Sequence, residues 1–274
     1  MDLPVYNTLI LSDLHLGAET SRAREATRVL KENRFQRLIL LGDIFADLNF
    51  ARLTKDHWKF LGFIRKLSNP KRHIEVVWVE GNHDHGLANI MSHLVGVRVY
   101  ETYRWYYQGL KHVAIHGHQF DGFQVNNLRL SHVGTSLYLK LQKLDFKSKP
   151  IARLIDRLNT RWLRMSSKVS AGALQYARQH EADRIFCGHT HEAIRVEQDG
   201  IEYCNSGGWV DSRLTYVTVD EQGVQIHEYD EHEYDERAHD RDSSQERGEA
   251  DTEFADFADE SGLLEDVEYE SVSR

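Results

Sequence analysis

The sequence predicts an α/β fold, because apolar strands alternate with amphipathic helices over roughly the first two hundred residues. Apolar runs at 6–12, 37–41 and 74–80 have the length and composition of strands. The stretches 21–32 and 55–67 repeat apolar residues at helical spacing, and Ser21 is the expected N-cap of the first. Further strands are expected as a pair within 97–107 and at 111–116, 184–187, 193–198, 201–205 and 214–219, with Asp199-Gly200 as a hairpin turn.

The composition is that of a globular protein with one large domain. Hydrophobic residues make up 41% of the 274 residues, which is enough for a sizeable core. No basic segment followed by an apolar run opens the sequence, and no run of about eighteen apolar residues occurs in it, so neither a secretory signal nor a membrane span is expected. The two cysteines stand in apolar surroundings typical of buried thiols in a reducing compartment. The expected location is the cytoplasm.

Charge is distributed unevenly along the chain. The net charge is −9, yet the segment 228–274 holds nineteen Asp and Glu against four Arg, so the rest of the chain is mildly basic. A segment with so few apolar residues cannot bury enough surface to offset the conformational entropy lost on folding. We therefore expect residues 1–227 to form the folded domain and residues 228–274 to form a disordered acidic tail.

A helical insertion is expected at about 122–181, because this segment contains no strand signal. Part of it repeats apolar residues at helical spacing, and Arg153, Arg157 and Arg161 form a row on another face. These arginines are candidate substrate-binding residues, because a basic amphipathic helix attracts phosphate groups or an anionic membrane surface. The alternative is that the apolar stripe packs on the domain and the arginines are simply solvated.

Five short polar motifs each follow a predicted strand. They are Asp13-Leu14-His15, Gly42-Asp43, Gly81-Asn82-His83-Asp84, His116-Gly117-His118 and Gly188-His189-Thr190-His191. Ligands usually bind at the carboxyl ends of the strands in an open α/β sheet. Each motif alone has little specificity, but the five in this order indicate one site.

The residue types in these motifs are typical of a hydrolytic metal site. Carboxylate, amide and imidazole ligands without thiolates suit manganese, iron or zinc. A structural zinc site would normally use cysteine. Among these metals manganese is the first choice, with iron or zinc as alternatives.

Through these five motifs, residues 6–219 resemble the calcineurin-like metallophosphoesterase superfamily. The resemblance implies a four-layer α/β/β/α sandwich, in which helices flank two central sheets and a dinuclear metal site lies between the sheet edges. It assigns one ion to Asp13, His15, Asp43 and His191. It assigns the other to Asp43, Asn82, His116 and His189, so that Asp43 bridges the pair.

The resemblance also implies a mechanism. Two divalent ions lower the pKa of the water between them, and the hydroxide attacks phosphorus in line with the leaving group. His83 would stabilise or protonate the departing oxygen, and Asp84 would orient the ring of His83. For Asp84 the alternative is a simple turn residue. For His118 an approach to the site and a loop-capping role are both open.

A finer resemblance is to the UDP-2,3-diacylglucosamine pyrophosphatase-like branch, on the stretches 116–121 and 203–210. Enzymes of this branch act on a glycolipid and carry a helical insertion in the same place. The sequence departs from the branch pattern at His83, where an arginine is common, and at Gly208, where an aspartate is usual. The expected substrate is therefore a phosphate-containing small molecule or a glycolipid, and the insertion could contact the inner face of the membrane.

Two other functions are alternatives. A phosphodiesterase or nuclease would hold a phosphate backbone in a basic groove. Nucleic acid is the less expected partner, because the chain has no separate DNA-binding module and its tail is acidic. A non-catalytic scaffold with the same fold is the third hypothesis, although all the ligand positions are present.

Overall fold

The computed structural model describes residues 5–121, 166–231 and 234. In its first sheet three parallel strands are extended by a short fourth strand and by an antiparallel hairpin. The strands are β1 (Val5–Leu11), β2 (Arg34–Leu41), β3 (Glu75–Val79), β4 (Arg98–Tyr100), β10 (Thr215–Asp220) and β11 (Gly223–Glu228), in the order β11-β10-β1-β2-β3-β4. The last strand, β11, is absent from the sequence prediction.

The second sheet has five strands in the order β5-β6-β7-β9-β8. They are β5 (Thr102–Tyr107), β6 (Leu110–Ile115), β7 (Arg184–Cys187), β8 (Ile194–Gln198) and β9 (Ile201–Asn205). β6, β7 and β9 are parallel, while β5 and β8 pair antiparallel at the edges. The turn between β8 and β9 has Asp199 at φ 54° and Gly200 at φ 77°, as an Asp-Gly hairpin turn requires.

Three helices of the first half are α1 (Ala23–Glu32), α2 (Lys55–Leu67) and α3 (Ala88–Leu94). α2 has the predicted bounds, and α3 is an addition to the prediction. The expected N-cap of α1 is wrong: the cap is Arg22, and Ser21 Oγ donates to the carbonyl of Leu14 at 2.7 Å. Ser21 therefore links α1 to the loop that follows β1. Among the described residues, no helix combines the length and hydrophobicity needed to cross a membrane.

A fourth helix, α4, spans 166–179 and belongs to the folded domain. Its apolar residues Ala173, Leu174 and Ala177 pack on the second sheet in one cluster with residues of β6 and β7. Because β6 and β7 are parallel, the chain needs a crossover between them, and α4 provides it. The last part of the predicted insertion, from residue 166, therefore packs on the second sheet. The rest of the insertion, with Arg153, Arg157 and Arg161, lies outside the described residues.

The main core lies between the two sheets. Ile39 and Leu41 of β2 and Val77 of β3 pack in one cluster with Trp105 of β5 and Phe186 of β7. The neighbouring side chains of β2, Leu38 and Leu40, are equally buried and point to the opposite face of the first sheet. Both faces of that sheet are thus covered, which confirms the α/β fold with two sheets flanked by helices.

The folded unit extends slightly beyond the predicted domain boundary. Glu228 pairs with Thr215 in the ladder between β11 and β10, and Tyr229 N donates to Leu214 O at 2.7 Å. A compact unit covers the chain up to Tyr229. The disorder expected for the acidic tail stays a prediction, because nearly all of that segment lies outside the described residues.

The buried ring of His112 is expected to make stability depend on pH. The side chain is 0% exposed, and its ring stacks on Trp105 with centroids 4.9 Å apart. Burial, reinforced by the charge of Arg184, lowers the pKa of His112 from 6.5 to about 4. Between these pH values His112 is protonated in the unfolded chain but stays neutral in the folded protein. The free energy of unfolding therefore falls as pH drops from 6.5 towards 4, by up to about 3 kcal/mol from this residue.

His112→Phe should remove this loss and keep the aromatic stacking. On lowering the pH from 7.5 to 4.5, we expect the free energy of unfolding of the variant to fall by about 2 kcal/mol less than that of the wild type. Urea denaturation at the two pH values measures the difference, and the other titrating groups cancel in the comparison. Equal changes in the two proteins would contradict the account.

Candidate metal centre

The five motifs meet where strands of both sheets end. Asp13 and His15 follow β1, Asp43 follows β2, and Asn82 and His83 follow β3 in the first sheet. In the second sheet His116 follows β6, and His189 and His191 follow β7. Because these strands are parallel within each sheet, their carboxyl ends share one edge. Facing edges of the two sheets thus present every predicted ligand to one region.

Backbone conformation in these loops is unusual. Asp13, His15, Asp43, His189 and His191 have φ between 48° and 71°, the left-handed region that L residues seldom adopt. Such conformations cost free energy and persist only where surrounding contacts fix them. The contacts are backbone hydrogen bonds between neighbouring loops, such as Asp13 N to Gly42 O at 3.0 Å. Each loop therefore holds the next in a strained geometry that turns its side chain into the site.

Two glycines are required by the close approach of these loops. A Cβ on Gly81 would collide with the backbone nitrogen and the carboxylate of Asp43. A Cβ on Gly188 would lie 2.5 Å from Oδ2 of Asp13 and 2.7 Å from Oγ of Ser12. Any side chain at either position would push a predicted metal ligand out of place.

One group of potential ligand atoms comprises Asp13, His15 and His191. Nε2 of His191 lies 3.3 Å from Oδ1 of Asp13 and 3.2 Å from Nε2 of His15. Burial lowers the pKa of His15 to about 3, against the opposing effect of Asp43, so this imidazole is neutral and has a lone pair to offer. These are three of the four residues that the resemblance assigns to the first ion, the fourth being Asp43.

A second group comprises Asp43, His116 and His189. Nδ1 of His116 donates to Leu41 O at 2.9 Å, which turns the buried Nε2 towards Asp43 Oδ2 at 3.3 Å. Asn82 Oδ1, in the loop after β3, is buried and has no hydrogen-bond partner among the described residues. A buried polar atom without a partner is rare and costly, and a cation site beside it is one explanation.

The charge between Asp43 and His116 supports this interpretation. Burial alone would lower the pKa of His116, but the carboxylate of Asp43 outweighs burial and raises it to about 9. Burial alone would likewise raise the pKa of Asp43, yet His116 and His83 hold it well below its ordinary value. The site thus favours a positive charge at this point, and a metal ion could take the place of the proton.

His83 lies between the two groups. Its Nδ1 is 2.7 Å from the carbonyl oxygen of Ala46, and its Nε2 is 3.8 Å from Oδ2 of Asp43. A carbonyl only accepts hydrogen bonds, so Nδ1 carries a proton. The ring can then donate from Nε2 only as an imidazolium. As a neutral ring it offers a lone pair, and its Nε2 forms a third possible ligand group with His15 and Asp43.

The structure corrects the role expected for Asp84. Its carboxylate accepts hydrogen bonds from Gly81 N at 2.7 Å, Ile44 N at 3.0 Å and Trp78 Nε1 at 3.2 Å, with Asp43 N at 3.3 Å. The ring of His83 is held by Ala46 instead. Burial, together with the charge of Asp43, raises the pKa of Asp84 to about 6. Asp84 therefore braces the backbone of two ligand loops and does not orient His83.

Three polar residues near the site were given no firm role by the sequence. Asp211 Oδ2 lies 3.1 Å from Nδ1 of His191, and Asp121 Oδ2 lies 3.5 Å from Nε2 of His189. The ring of His118 lies 5.5 Å from that of His116, so His118 approaches the site. Asp211 has no motif around it, and only its position in a glycine-containing loop could have drawn attention to it.

Several solved structures match the chain at low similarity. An archaeal phosphodiesterase matches with 13% identity and a TM-score of 0.45, over 81% of this chain and 99% of that chain. Vacuolar protein sorting 29 of Cryptosporidium parvum matches with 14% identity and a TM-score of 0.42, over 81% of this chain and 95% of that chain. A conserved uncharacterized protein of Streptococcus pneumoniae, a predicted phosphoesterase, matches with 14% identity and a TM-score of 0.37. That match covers 82% of this chain and 98% of that chain. No curated protein matches the sequence.

A family comparison covers nearly the whole folded unit. The model of the calcineurin-like phosphoesterase superfamily domain matches residues 7–232, which include all five motifs and, except for the first two residues of β1, both sheets. This span agrees with the resemblance on residues 6–219. The chain belongs to the calcineurin-like phosphoesterase superfamily.

Proposed function

We propose that this protein is a phosphoesterase with two divalent metal ions that hydrolyses a phosphate ester or a pyrophosphate. The observation that carries the proposal is the set of ligand groups around Asp43, one with Asp13, His15 and His191 beside it and one formed by Asp43 itself with His116 and His189. The nearby Asn82 Oδ1 is a buried acceptor without a hydrogen-bond partner among the described residues, and a bound cation would satisfy it.

The residues fit the ions that the sequence suggests. Asp13, His15, Asp43 and His191 would hold one ion, and Asp43, Asn82, His116 and His189 the other. Carboxylate, amide and neutral imidazole groups suit Mn²⁺, with iron or zinc as alternatives. When bound, such a pair of ions supplies a water-derived nucleophile at neutral pH and neutralises charge on the phosphate oxygens.

The chain itself contributes His83 to the chemistry. The hydrogen bond from its Nδ1 to Ala46 O directs Nε2 towards the ligand groups, where a phosphate leaving group would lie. The protonated ring can stabilise the negative charge that develops on the departing oxygen, or transfer a proton to it. Poor leaving groups need this help most.

The substrate class that we propose is a pyrophosphate or phosphodiester with a bulky apolar or nucleoside portion, such as an acylated UDP-sugar. Its support is the resemblance to the UDP-2,3-diacylglucosamine pyrophosphatase-like branch on stretches 116–121 and 203–210. The arginines proposed to bind it, and the proposed contact with a membrane surface, fall in the segment 122–165, outside the described residues. A nucleotide phosphodiesterase is the alternative.

The test of substrate class compares three compounds with the Mn²⁺-loaded protein: bis-p-nitrophenyl phosphate, p-nitrophenyl phosphate and a UDP-linked acylated sugar. Release of UMP from the nucleotide sugar would support the pyrophosphatase proposal. Turnover of the simple diester alone would favour nucleotides and other diesters. No hydrolysis of any of the three would contradict the proposed function.

Asp43→Asn should abolish metal loading and hydrolysis together. In the wild type His83 N donates to Asp43 Oδ1 at 2.8 Å. The amide oxygen of the variant can still accept this hydrogen bond, but the negative charge between the ligand groups is lost. We expect Mn²⁺ affinity and kcat/KM to fall by at least about 100-fold, more than for loss of an outer partner of a ligand. Metal content by mass spectrometry and diesterase assays measure both. Asp56→Asn, at an exposed carboxylate on α2, serves as control and should change neither.

His83→Ala should retain both ions and lose rate in proportion to leaving-group basicity. A nitrophenolate leaves readily, so we expect a drop of about tenfold with bis-p-nitrophenyl phosphate and about 100-fold or more with an alkyl leaving group. The neighbouring His85→Ala is the matched control, because the side chain of His85 is 78% exposed. Loss of one ion in His83→Ala would instead make His83 a ligand, and equal losses on all substrates would remove its role at the leaving group.

A further inference from the structure

We propose that Asp211 is a positioning residue for the metal centre, which holds the ring of His191 with Nε2 directed at the ligand atoms of Asp13 and His15. The inference deepens the proposed function and rests on it. Asp211 lies outside the five motifs and has been assigned no role by the sequence.

The hydrogen bond between these residues sets the tautomer of the ring. Nδ1 of His191 lies 3.1 Å from Oδ2 of Asp211. An ionised carboxylate only accepts hydrogen bonds, so the proton is on Nδ1 and the lone pair of the neutral ring is on Nε2. Nε2 in turn faces Asp13 Oδ1 at 3.3 Å and His15 Nε2 at 3.2 Å. A histidine ligand whose second nitrogen donates to a carboxylate is the usual arrangement in metal sites.

The backbone of His191 does not by itself determine this orientation. The residue lies in the loop between β7 and β8 with φ 55°, so no regular element fixes its side chain. One side of the ring packs on Gly208, where a Cβ would lie 3.3 Å from Cγ of His191. Gly208 therefore leaves room for the ring, and Asp211 fixes its rotation.

The loop that carries Gly208 and Asp211 is anchored to Asp13, another ligand of the same group. Trp209 is 0% exposed; its N–H donates to Asp13 O and its carbonyl accepts from Arg22 N, both at 3.0 Å. Ser12, which directly precedes Asp13, donates from Oγ to Gly207 O at 2.9 Å. The position of Asp211 is thus tied to the backbone of Asp13 although its side chain is 51% exposed.

The same loop consequently sets the distance between two ligands from different sheets. Asp13 follows β1 of the first sheet, whereas His191 follows β7 of the second. The loop contacts the backbone of Asp13 through Trp209 and the ring of His191 through Asp211. Losing the carboxylate should loosen His191 and leave Asp13 in place, so it should weaken one ion position selectively.

The experiment titrates the full chain, stripped of metal, with Mn²⁺ by calorimetry and with Co²⁺ by visible absorption. Asp211→Ala should weaken the first or second binding step, but not both, by about 10- to 100-fold, and should change the intensity of the Co²⁺ bands. Asp211→Asn should lose less, because its amide oxygen still accepts from Nδ1 of His191. The control Asp199→Asn removes an exposed carboxylate that pairs with Arg178 in the β8–β9 hairpin, and should bind as the wild type does.

The activity measurement separates positioning from direct contact with substrate. With saturating Mn²⁺, Asp211→Ala should recover most of its kcat on bis-p-nitrophenyl phosphate with an unchanged KM. Binding constants and Co²⁺ bands equal to those of the wild type would overturn the inference. If Asp211→Ala lowers the melting temperature of the metal-stripped protein, the titrations are repeated well below that temperature, where the variant is fully folded. Weaker binding at one step under those conditions supports the inference, and wild-type binding overturns it.

The outcomes also separate this inference from the proposed function. If the wild type binds two ions but hydrolyses no phosphate ester, the proposed function fails while a weakened step in Asp211→Ala still supports the positioning role. If the wild type hydrolyses phosphate esters and Asp211→Ala binds both ions as tightly, only the positioning role fails. If the wild type binds no divalent ion, both fail.

Discussion

The buried carboxylate of Asp43 is the group around which the facing edges of the two sheets are arranged. It follows β2 of the first sheet, is 2% exposed, and lies 3.3 Å from His116 at the end of β6 in the second sheet. A buried negative charge is very unfavourable unless positive charge or hydrogen bonds surround it. The imidazoles of His116 and His83 beside Asp43 therefore offset the cost of its burial, and the same groups form a candidate cation site.

Buried hydrogen bonds to loop backbones hold that arrangement. Asp84 receives three backbone N–H groups and the indole of Trp78, which fixes the loops after β2 and β3 against each other. On the other side of the site, Trp209 joins the loop after β1 to the loop that carries Asp211. Strained left-handed residues such as Asp13 and His191 can persist because these bonds determine their backbones from more than one direction.

The fold and the candidate metal centre lie in different parts of the molecule. The two sheets and α4 form the core, and the loops at the facing sheet edges carry the candidate ligands. In the proposed function the ligand groups supply the chemistry and His83 acts on the leaving group. Under that proposal the choice of one phosphate compound among many would rest on other side chains, because the metal ligands alone do not identify a substrate.

The sequence by itself determined every strand except β11, the helices α1 and α2, and the ligand candidates. Strands such as Arg184–Cys187 can be predicted because burial on both faces of a sheet requires continuous apolar residues. The ligands can be predicted because short polar motifs follow these strands. Only the tertiary structure decided that 166–179 is a crossover helix, that Asp84 braces Asp43, and that Asp211 contacts His191. The physical reason is distance along the chain: those contacts join residues 41 and 20 positions apart, and local spacing cannot specify which loops meet.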